Sequence, residues 1–278
     1  MNDKKIILSP AKLNIFLKVL GKRDDGYHEI RSGITFINLY DQIELISDSK
    51  TSISYSGTYK PSSGNYADCI IKKTLDFLDI KSDLNLKINI VKNIPVQGGL
   101  GAASSNAATL IKTLEKMNKI DINKPEHYAS LGADIPSFLF QKNCLVTGMG
   151  EKILYCPFPK YFFLLVKPKY NNSTKNMYQY FNFNNQNIDQ IDLLENIEIN
   201  ENDFGNDFEQ FMLDKNEEYK NIFEFLENAN GSIFSRMTGS GSCCYAAFEE
   251  NDSALRAMEL FKLNFPDLWS IVCENNTS

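Results

Sequence analysis

The chain has 278 residues and a formal net charge of −6, and its hydrophobic content of 43% is sufficient for one large domain or two of average size. We expect no membrane span, no secretory signal and no nucleic-acid partner: no apolar run approaches about 18 residues, Lys12 and Lys18 interrupt the N-terminal apolar stretch, and no basic stripe is interleaved with aromatic residues. The six cysteines and two histidines form no metal-ligand pattern, so we expect no zinc site and a reduced, cytoplasmic protein.

The first 60 residues are predicted to be mostly strands. KIILSPAKLNIFLKVLGKR and GYHEIRSGITFINLYDQIELIS are rich in β-branched and apolar residues, and the second alternates between them and polar residues. Residues 65–79 instead have apolar side chains at helical spacing. LNLKINIVKNI alternates strictly, which predicts a strand that ends before Pro95.

Helices and strands follow each other in the rest of the chain. The sequence predicts a helix from about Ser104, a second helix in KPEHYASLG that Gly132 ends, and strands in CLVTGMGEKILYC. The Pro-containing CPFPK suggests a boundary between a domain of residues 1–157 and one of residues 158–278. Next come a strand in YFFLLVKP, acidic helices, a turn and strand in RMTGSGSCCYAAFEE, a helix in SALRAMELFKLNF and a strand in LWSIVCE. Without a sustained βαβ pattern, this order favours two α+β domains.

Negative charge is concentrated in one block. Residues 189–228 carry 13 Asp and Glu against two Lys. The carboxylates do not have the spacing of a metal-binding loop, so we interpret the block as a solvated face of one or two helices. The rest of the chain is net basic, which suits an anionic ligand.

NIPVQGGLGAASSNAATLIKTLEKM, residues 93–117, has the composition of a phosphate site. Gly98, Gly99 and Gly101 let the main chain approach a ligand closely, and the helix that follows directs unpaired N–H groups towards it. The alternative is a plain glycine turn in which Ser104 or Ser105 caps the helix. Neither GxxxxGK[ST] nor GxGxxG is present.

PVQGGLGAASSNAA resembles the phosphate-binding motif of the GHMP kinase superfamily, the galactokinases, homoserine, mevalonate and phosphomevalonate kinases. It departs from that motif at Gln97, Ala102 and Ala103. SPAKLNIFLKV resembles the first motif of the superfamily, and TGSGSCCYAAF resembles its third, a glycine turn that packs near the phosphate loop. GKRDDGYHEIRSGITFINLYD and LGADIPSFL are similar to segments of the 4-diphosphocytidyl-2-C-methyl-D-erythritol kinase branch.

This resemblance implies a fold and a reaction. The fold would be the α+β two-domain GHMP kinase fold, with an N-terminal domain similar to domain 2 of ribosomal protein S5 and a C-terminal ferredoxin-like domain. The reaction would be ATP-dependent, Mg²⁺-assisted phosphorylation of the 2-hydroxyl of 4-diphosphocytidyl-2-C-methyl-D-erythritol, in non-mevalonate isoprenoid synthesis. The implied partner is therefore a small molecule, and the oligomeric state stays open.

The resemblance also assigns roles to residues. Asp134 would be the general base, and Lys12 would keep it ionised and neutralise the transferring phosphoryl group. The expected ATP-binding residues are Pro95, Val96, Gln97, Gly98, Gly99, Leu100, Gly101, Ala102, Ala103, Ser104, Ser105, Asn65 and Lys92. The expected substrate-binding residues are Asn14, Tyr27, His28, Thr174 and Tyr178, with Tyr27 and Tyr178 on the two faces of the cytosine and His28 at its edge. Ser104 or Ser105 would reach the Mg²⁺.

Each of these residues also has a purely structural interpretation. Asp134 is suited to cap a helix ahead of Pro136, Lys12 to point to solvent from a strand, and Tyr27 and His28 to lie in an exposed hairpin. Two other functions are considered as well. One is a GHMP kinase of the homoserine or mevalonate type, whose substrate lacks a base. The other is a nucleotide sensor without catalysis, although such a sensor would need neither Lys12 nor Asp134.

Overall fold

The structure is a computed structural model, and it describes residues 4–61, 69–80, 84–170, 177–178 and 204–276. Its strands in chain order are β1 Lys5–Lys22, β2 His28–Ser47, β3 Ser52–Ser56, β4 Leu86–Val91, β5 Cys144–Gly148, β6 Lys152–Tyr155, β7 Phe162–Lys167, β8 Gly205–Asn206, β9 Phe234–Met237, β10 Cys244–Phe248 and β11 Trp269–Glu274. Its α-helices are α1 Ile70–Phe77, α2 Ala102–Lys116, α3 Ile135–Phe140, α4 Glu209–Lys215, α5 Glu217–Glu227 and α6 Asn251–Asn264, and a 3-10 helix covers Pro125–Ser130.

The chain forms two compact units that alternate along the sequence. The first unit comprises Met1–Ala11, Leu39–Val96 and Gly101–Gln141, and the second comprises Lys12–Asn38, Gln97–Leu100 and Lys142–Ser278. This division differs from the single boundary expected between residues 157 and 158, which stays a prediction. The long strands β1 and β2, of 18 and 20 residues, each contribute residues to both units.

In the first unit, helices pack on one face of a sheet. The alternation of apolar and polar residues along its strands determines which face is buried. Strand β4 pairs antiparallel with the end of β2 and parallel with β3, so the strand order is β3-β4-β2. Leu86, Ile88 and Ile90 alternate with more exposed residues along β4 and are buried. They pack in one core with Leu110 and Leu114 of α2.

Helix boundaries in this unit differ from the predicted ones by a few residues. The amphipathic helix α1 begins at Ile70, after Cys69 accepts a hydrogen bond from the N–H of Lys72. Helix α2 begins at Ala102 rather than near Ser104, and KPEHYASLG forms the 3-10 helix.

The second unit contains the topology that the C-terminal sequence predicts. Strands β7, β9, β10 and β11 form an antiparallel sheet of order β11-β7-β10-β9, so the four strands in chain order have the spatial order 4-1-3-2. Helices α4 and α5 lie between its first two strands in the chain, and α6 lies between the last two. This βαββαβ order agrees with the ferredoxin-like domain that the resemblance implies.

The remaining strands of the second unit precede β7 in the chain, with one exception. Strand β5 pairs antiparallel with β2 and β6, while the two-residue strand β8 pairs parallel with Phe16 and Leu17 of β1. A short segment just before α4 is therefore attached to the strand that begins the chain.

The described part of the acidic block largely agrees with a solvated face, since Asp214, Glu217, Glu224 and Glu227 are exposed. Two of its carboxylates instead contact protein groups. Asp207 accepts hydrogen bonds from Lys18 Nζ (3.1 Å) and from the N–H of Val19 (2.8 Å). Glu209 accepts one from the N–H of Met237 (2.6 Å), and burial raises the pKa of Glu209 to about 7 despite this bond and the nearby Arg236 and Lys18.

We predict that Glu209→Gln becomes more stable, relative to the wild type, as the pH rises. The folded-state pKa of Glu209 is raised above the ordinary 4.5, so its contribution to stability is complete below about pH 4.5 and is lost as the pH rises to about 7. The difference in unfolding free energy between variant and wild type should shift by about 1–3 kcal/mol over this window, with the lower end allowing for solvent screening. Urea unfolding at pH 4.5 and pH 8 measures it.

Glu227→Gln is the control for loss of a charge, since Glu227 is exposed at the end of α5. A Glu209→Gln difference that is the same at both pH values would contradict the burial of an ionisable Glu209.

Candidate active site

The glycine-rich stretch ends in a helix N-terminus that no side chain caps. Gly101 is the N-cap residue of α2 with a left-handed φ of 67°, and no side-chain hydrogen bond satisfies the first turn of the helix. The alternative in which Ser104 or Ser105 caps the helix is therefore wrong: the N-cap is Gly101, and the Ser105 hydroxyl is fully buried and donates to the carbonyl oxygen of Pro10 (2.6 Å). The N–H groups of the first turn thus lack a side-chain partner, which is the arrangement that binds anions at helix N-termini.

Within the second unit, residues 97–100 lie against the turn between β9 and β10. The N–H groups of Ser242 and Cys243 donate to the carbonyl oxygens of Gln97 (3.2 Å) and Gly98 (3.3 Å). Gly99 has a φ of 73°, and a β-carbon there would lie 2.0 Å from the carbonyl oxygen of Thr238. Only glycine fits this position, and the predicted packing of the third motif near the phosphate loop is confirmed.

Lys12 lies on β1 next to the same turn, and it is buried rather than exposed to solvent. The residue is 3% exposed, and its backbone N–H donates to the carbonyl oxygen of Leu100 (3.1 Å). Its ammonium group donates to Oδ1 of Asn14. A β-carbon built on Gly239 would lie 3.3 Å from Lys12 Nζ, which places the positive charge beside the glycine turn.

Asn14 connects Lys12 to the turn through its backbone and its side chain. Its N–H donates to Thr238 Oγ1 (3.1 Å), and its Nδ2 donates to Ser32 Oγ (2.7 Å). Thr238 Oγ1 also lies 3.2 Å from the carbonyl oxygen of Gly99, within donating distance. Asn14 is only 4% exposed, so the structure gives it a part in holding Lys12, and its contact with substrate stays a prediction.

Asp134 lies at the start of α3 in the first unit, but its carboxylate does not cap that helix. It occupies the N-cap position without a side-chain capping bond, and its carbonyl oxygen accepts from Ser137 Oγ (2.8 Å). Asp134 thus lies in a turn at the N-cap position ahead of Pro136, as its structural interpretation expects, and its role as general base stays a prediction. The segment before it passes close to α2, since a β-carbon on Gly132 would lie 3.1 Å from Ser104 Oγ. Asp134 thus lies two residues after Gly132, which is close to Ser104 in the first turn of α2.

A buried polar network in the first unit holds both ends of the glycine-rich stretch. Asp41 is fully buried, and its Oδ1 accepts from the N–H groups of Asn93 (2.7 Å) and Ile94 (2.9 Å) just before that stretch. Its Oδ2 accepts from Lys92 Nζ and from Nδ2 of Asn106 (3.1 Å) in α2, just after it. Lys92 also donates to Oδ1 of Asn106 (2.9 Å).

Lys92 therefore has a structural partner that the sequence did not reveal. It is 6% exposed, and burial lowers the pKa of its ammonium group while Asp41 opposes that shift. We assign Lys92 to the support of the loop, and its expected contact with ATP stays a prediction.

The residues expected to bind a base partly come together. The rings of His28 and Tyr178 stack with centroids 4.5 Å apart and an interplanar angle of 19°. Burial, and then the charge of Lys22, lower the pKa of His28, so its neutral ring can offer one donor and one acceptor. Tyr27 is 55% exposed, at the end of a loop closed by the bond from the N–H of Arg23 to its carbonyl oxygen (2.9 Å). A base inserted between His28 and Tyr178 would have to separate their rings.

Sequence reasoning missed several residues of this site and named two that the structure does not describe. Asn65 and Thr174 lie outside the described residues. Asp41 and Thr238 stand inside quoted motifs without an assigned role, and their burial with hydrogen-bonded polar groups is visible only in three dimensions. Among the described residues, no group of three or more His, Cys, Asp or Glu side chains is arranged to hold a metal ion.

Comparison with known proteins gives consistent matches along the chain. The family model for the GHMP kinases N terminal domain matches residues 65–142, and that for GHMP kinases C terminal matches residues 185–265. The chain is 32% identical to a 4-diphosphocytidyl-2-C-methyl-D-erythritol kinase of Anaplasma phagocytophilum, over 97% of this chain and 93% of the relative. It is 34% identical to one of Clostridium botulinum, over 93% and 96%. A crystal structure of 4-(cytidine 5'-diphospho)-2C-methyl-D-erythritol kinase superposes with a TM-score of 0.76 at 22% identity, covering 98% of this chain and 100% of that one.

We predict that Asp41→Asn destabilises the protein by about 3–5 kcal/mol, because the Lys92 ammonium would remain buried without its counter-charge. The double variant Asp41→Asn/Lys92→Met should recover most of this loss, since the unpaired charge is removed and the amide oxygen still accepts from Asn93 and Ile94. Urea unfolding of the wild type and the variants gives the interaction energy.

Glu44→Gln is the matched control, because it breaks an ion pair with Lys4, which is 45% exposed. It should cost less than about 1 kcal/mol. A double variant that is less stable than Asp41→Asn would contradict the assignment of Lys92 as the buried partner of Asp41.

Proposed function

Since the chain belongs to the 4-diphosphocytidyl-2-C-methyl-D-erythritol kinase family, a branch of the GHMP kinases, we propose that it transfers the γ-phosphoryl group of ATP to the 2-hydroxyl of 4-diphosphocytidyl-2-C-methyl-D-erythritol. The products are ADP and the 2-phosphate, and the reaction belongs to non-mevalonate isoprenoid precursor synthesis. The observation that carries this proposal is the buried ammonium group of Lys12, held by Asn14 beside the glycine turn that contacts the phosphate loop.

ATP binding is proposed at the glycine-rich stretch, along residues 95–105. The N-terminus of α2 without a side-chain cap and the left-handed Gly99 and Gly101 provide main-chain N–H groups and space for a triphosphate. Val96, Gln97 and Ala103 are exposed and accessible to a ligand, whereas Ser105 is used by the protein itself. The triphosphate would therefore be held mainly by backbone groups, which are fixed before it binds.

Asp134 is proposed to accept the proton of the attacking hydroxyl. As that hydroxyl forms its bond to the γ-phosphorus, the bond from the γ-phosphorus to the bridging oxygen of ADP breaks, and the hydroxyl proton moves to the Asp134 carboxylate. Its position at the start of α3, just after a glycine that lies close to Ser104 in the first turn of α2, supports the role.

Lys12 is proposed to neutralise the charge of the transferring phosphoryl group. Phosphoryl transfer needs positioning and positive charge more than covalent chemistry. A buried ammonium group interacts more strongly with an anion than an exposed one, because less solvent screens it. Its bond to Asn14 holds it in place before ATP arrives.

Mg²⁺ is proposed to accompany ATP. Mg²⁺ keeps several waters and binds substrate phosphates with few protein ligands, so it requires no preformed cluster of carboxylates. The structure favours Ser104 over Ser105 as a protein ligand, since the Ser105 hydroxyl already donates to Pro10. When bound, the ion would offset negative charge on the phosphates.

The cytosine of the substrate is proposed to bind at Tyr27, His28 and Tyr178. The stack of His28 and Tyr178 supports this site, because a base could replace one ring as the stacking partner of the other. The neutral state of His28 supports hydrogen bonding to the base edge. The alternative acceptors, homoserine and mevalonate, have no group for these three aromatic side chains.

We also propose a cytoplasmic location. All six cysteines are free thiols, as expected in a reducing compartment. Among the residues that the structure describes, no helix has the length and apolarity to cross a membrane.

The experiment that tests this function measures ADP formation by the purified protein with ATP, Mg²⁺ and each of three acceptors. We expect turnover with 4-diphosphocytidyl-2-C-methyl-D-erythritol and none with homoserine or mevalonate. Asp134→Asn should lower kcat by about 10²–10⁴-fold while ATP binding persists, because the base acts in the transition state. Folded wild-type protein that makes no ADP with the cytidine substrate would contradict the proposal.

The double variant Tyr27→Ala/His28→Ala separates base recognition from catalysis. It should raise the KM for the cytidine substrate at least about 5-fold, the lower limit for loss of one stacked base. The KM for ATP should not change. Equal KM values for the cytidine substrate in wild type and variant would favour an acceptor without a base.

A further inference from the structure

The segment Gly205–Glu209, just before and into α4, is fixed to the strand that carries Lys12. Strand β8 pairs with Phe16 and Leu17, and the N–H of Asp207 donates to the carbonyl oxygen of Leu17 (3.0 Å). The Asp207 carboxylate accepts from the N–H of Val19 and from Lys18 Nζ. The segment thus has a fixed position relative to β1 within the second unit.

Asn206 uses its whole carboxamide to hold backbone groups. It is 5% exposed, and its Nδ2 donates to the carbonyl oxygens of Met237 (2.9 Å) and Gly239 (2.8 Å). Its Oδ1 accepts from the N–H of Phe208 (3.0 Å). A single side chain therefore satisfies two carbonyl groups on either side of Thr238.

Glu209 holds the same backbone from its other side. Its Oε1 accepts from the N–H of Met237 (2.6 Å), and its Oε2 accepts more weakly from the N–H of Asn206 (3.4 Å). Met237 is thus bound at its N–H by Glu209 and at its carbonyl oxygen by Asn206. This leaves the backbone of residues 237–239 with little freedom to shift.

The backbone that these two residues hold carries the contacts of the proposed phosphoryl-transfer site. The Thr238 hydroxyl accepts from the N–H of Asn14 and lies within donating distance of Gly99 in the phosphate loop. Gly239 lies beside the Lys12 ammonium group. A displacement of residues 237–239 would therefore change the surroundings of Lys12 and of the loop together.

We propose that Asn206 and Glu209 are positioning residues for phosphoryl transfer: they fix the Met237–Gly239 backbone so that Thr238 holds Asn14, Lys12 and Gly99 in the catalytic arrangement. This inference rests on the proposed function, since it concerns the same site. Neither residue touches the reacting atoms; both act through the turn.

The proposal implies a change in kcat that is separate from base recognition. Asn206→Ala leaves two buried carbonyl groups without their donors, and the turn must shift to find new partners. A misplacement of about 1 Å can reduce a rate about 10²-fold, so we expect kcat to fall by at least about 10-fold. Affinity for cytidine diphosphate should change less than kcat, because His28 and Tyr178 keep their own contacts and are linked to Asn206 through Phe208, which packs edge-on against Tyr178 and loses the acceptor of its N–H.

Asn228→Ala is the matched control. Asn228 is exposed at the end of α5, and its Nδ2 donates to the carbonyl oxygen of Glu224 (2.8 Å) in its own helix. Both variants remove one carboxamide from the same unit, but only Asn206 contacts the turn. We expect kcat of Asn228→Ala to equal that of the wild type. A purely structural role of Asn206 would reduce stability and leave kcat of the folded protein unchanged, and that result would overturn the proposal.

A second pair of variants keeps the proposal testable if Asn206→Ala does not fold. Glu209→Gln retains an oxygen that accepts from the N–H of Met237, whereas Glu209→Leu removes it. We expect the leucine variant to lose at least about 5-fold in kcat and the glutamine variant to restore it to within about two-fold of the wild type. Equal kcat in the two variants would contradict the role of Glu209.

Hydrogen–deuterium exchange separates this proposal from the proposed function. In the wild type, the N–H groups of Thr238 and Gly241 donate to the carbonyl oxygens of Cys243 and Thr238. The peptide covering residues 237–243 should exchange faster in Asn206→Ala than in Asn228→Ala, with or without enzymatic activity. Failure of the wild type to phosphorylate the cytidine substrate would reject the proposed function, whereas unchanged exchange in this peptide would reject the positioning role.

Discussion

The site in the second unit depends on the contacts of the Thr238 hydroxyl with Asn14 and Gly99. This hydroxyl accepts from the strand that carries Lys12 and lies within donating distance of the phosphate loop at Gly99. Each such bond contributes about 1 kcal/mol, but a buried group left without a partner costs about 1–3 kcal/mol, so these contacts form or fail together. The close approach of Thr238 to Gly99 explains why the loop needs glycine there: any β-carbon would overlap the Thr238 carbonyl oxygen. The need for glycine in the loop and the position of the Lys12 ammonium group are thus both linked to Thr238.

In the first unit, the carboxylate of Asp41 holds the chain on both sides of the glycine-rich stretch. Asp41 binds the backbone just before the glycine-rich stretch and Asn106 just after it, so both ends of a conformationally permissive segment are fixed. Burying this charge is costly unless it is paired, and Lys92 supplies the pair. The result is a loop that has glycine where the backbone approaches other groups closely and fixed ends where it joins a strand and a helix. In the proposed reaction, such preorganised N–H groups would stabilise phosphate charge without reorganising.

The sequence was sufficient to predict the fold class, most elements and the motifs, because alternation, helical spacing and glycine turns are local signals. LKINIV and the order of elements after residue 160 illustrate this, and the β11-β7-β10-β9 order agrees with the ferredoxin-like expectation. Roles that depend on distant partners were not predictable. Lys92 was expected to contact ATP. Its partner Asp41 lies 51 positions earlier in the chain, so the local sequence does not reveal their ion pair. Glu209 was included in a solvated acidic face, since charge density along the chain does not show which carboxylates turn inward.

The central claim is that the buried ammonium group of Lys12 meets the terminal phosphate of ATP held at the glycine-rich stretch. The most direct measurement is a crystal structure with a non-hydrolysable ATP analogue and 4-diphosphocytidyl-2-C-methyl-D-erythritol. We expect a terminal phosphate oxygen within about 4 Å of Lys12 Nζ, with the other phosphates on backbone N–H groups of residues 97–105. A triphosphate bound away from these N–H groups, with Lys12 still contacting Asn14 and no phosphate, would contradict it.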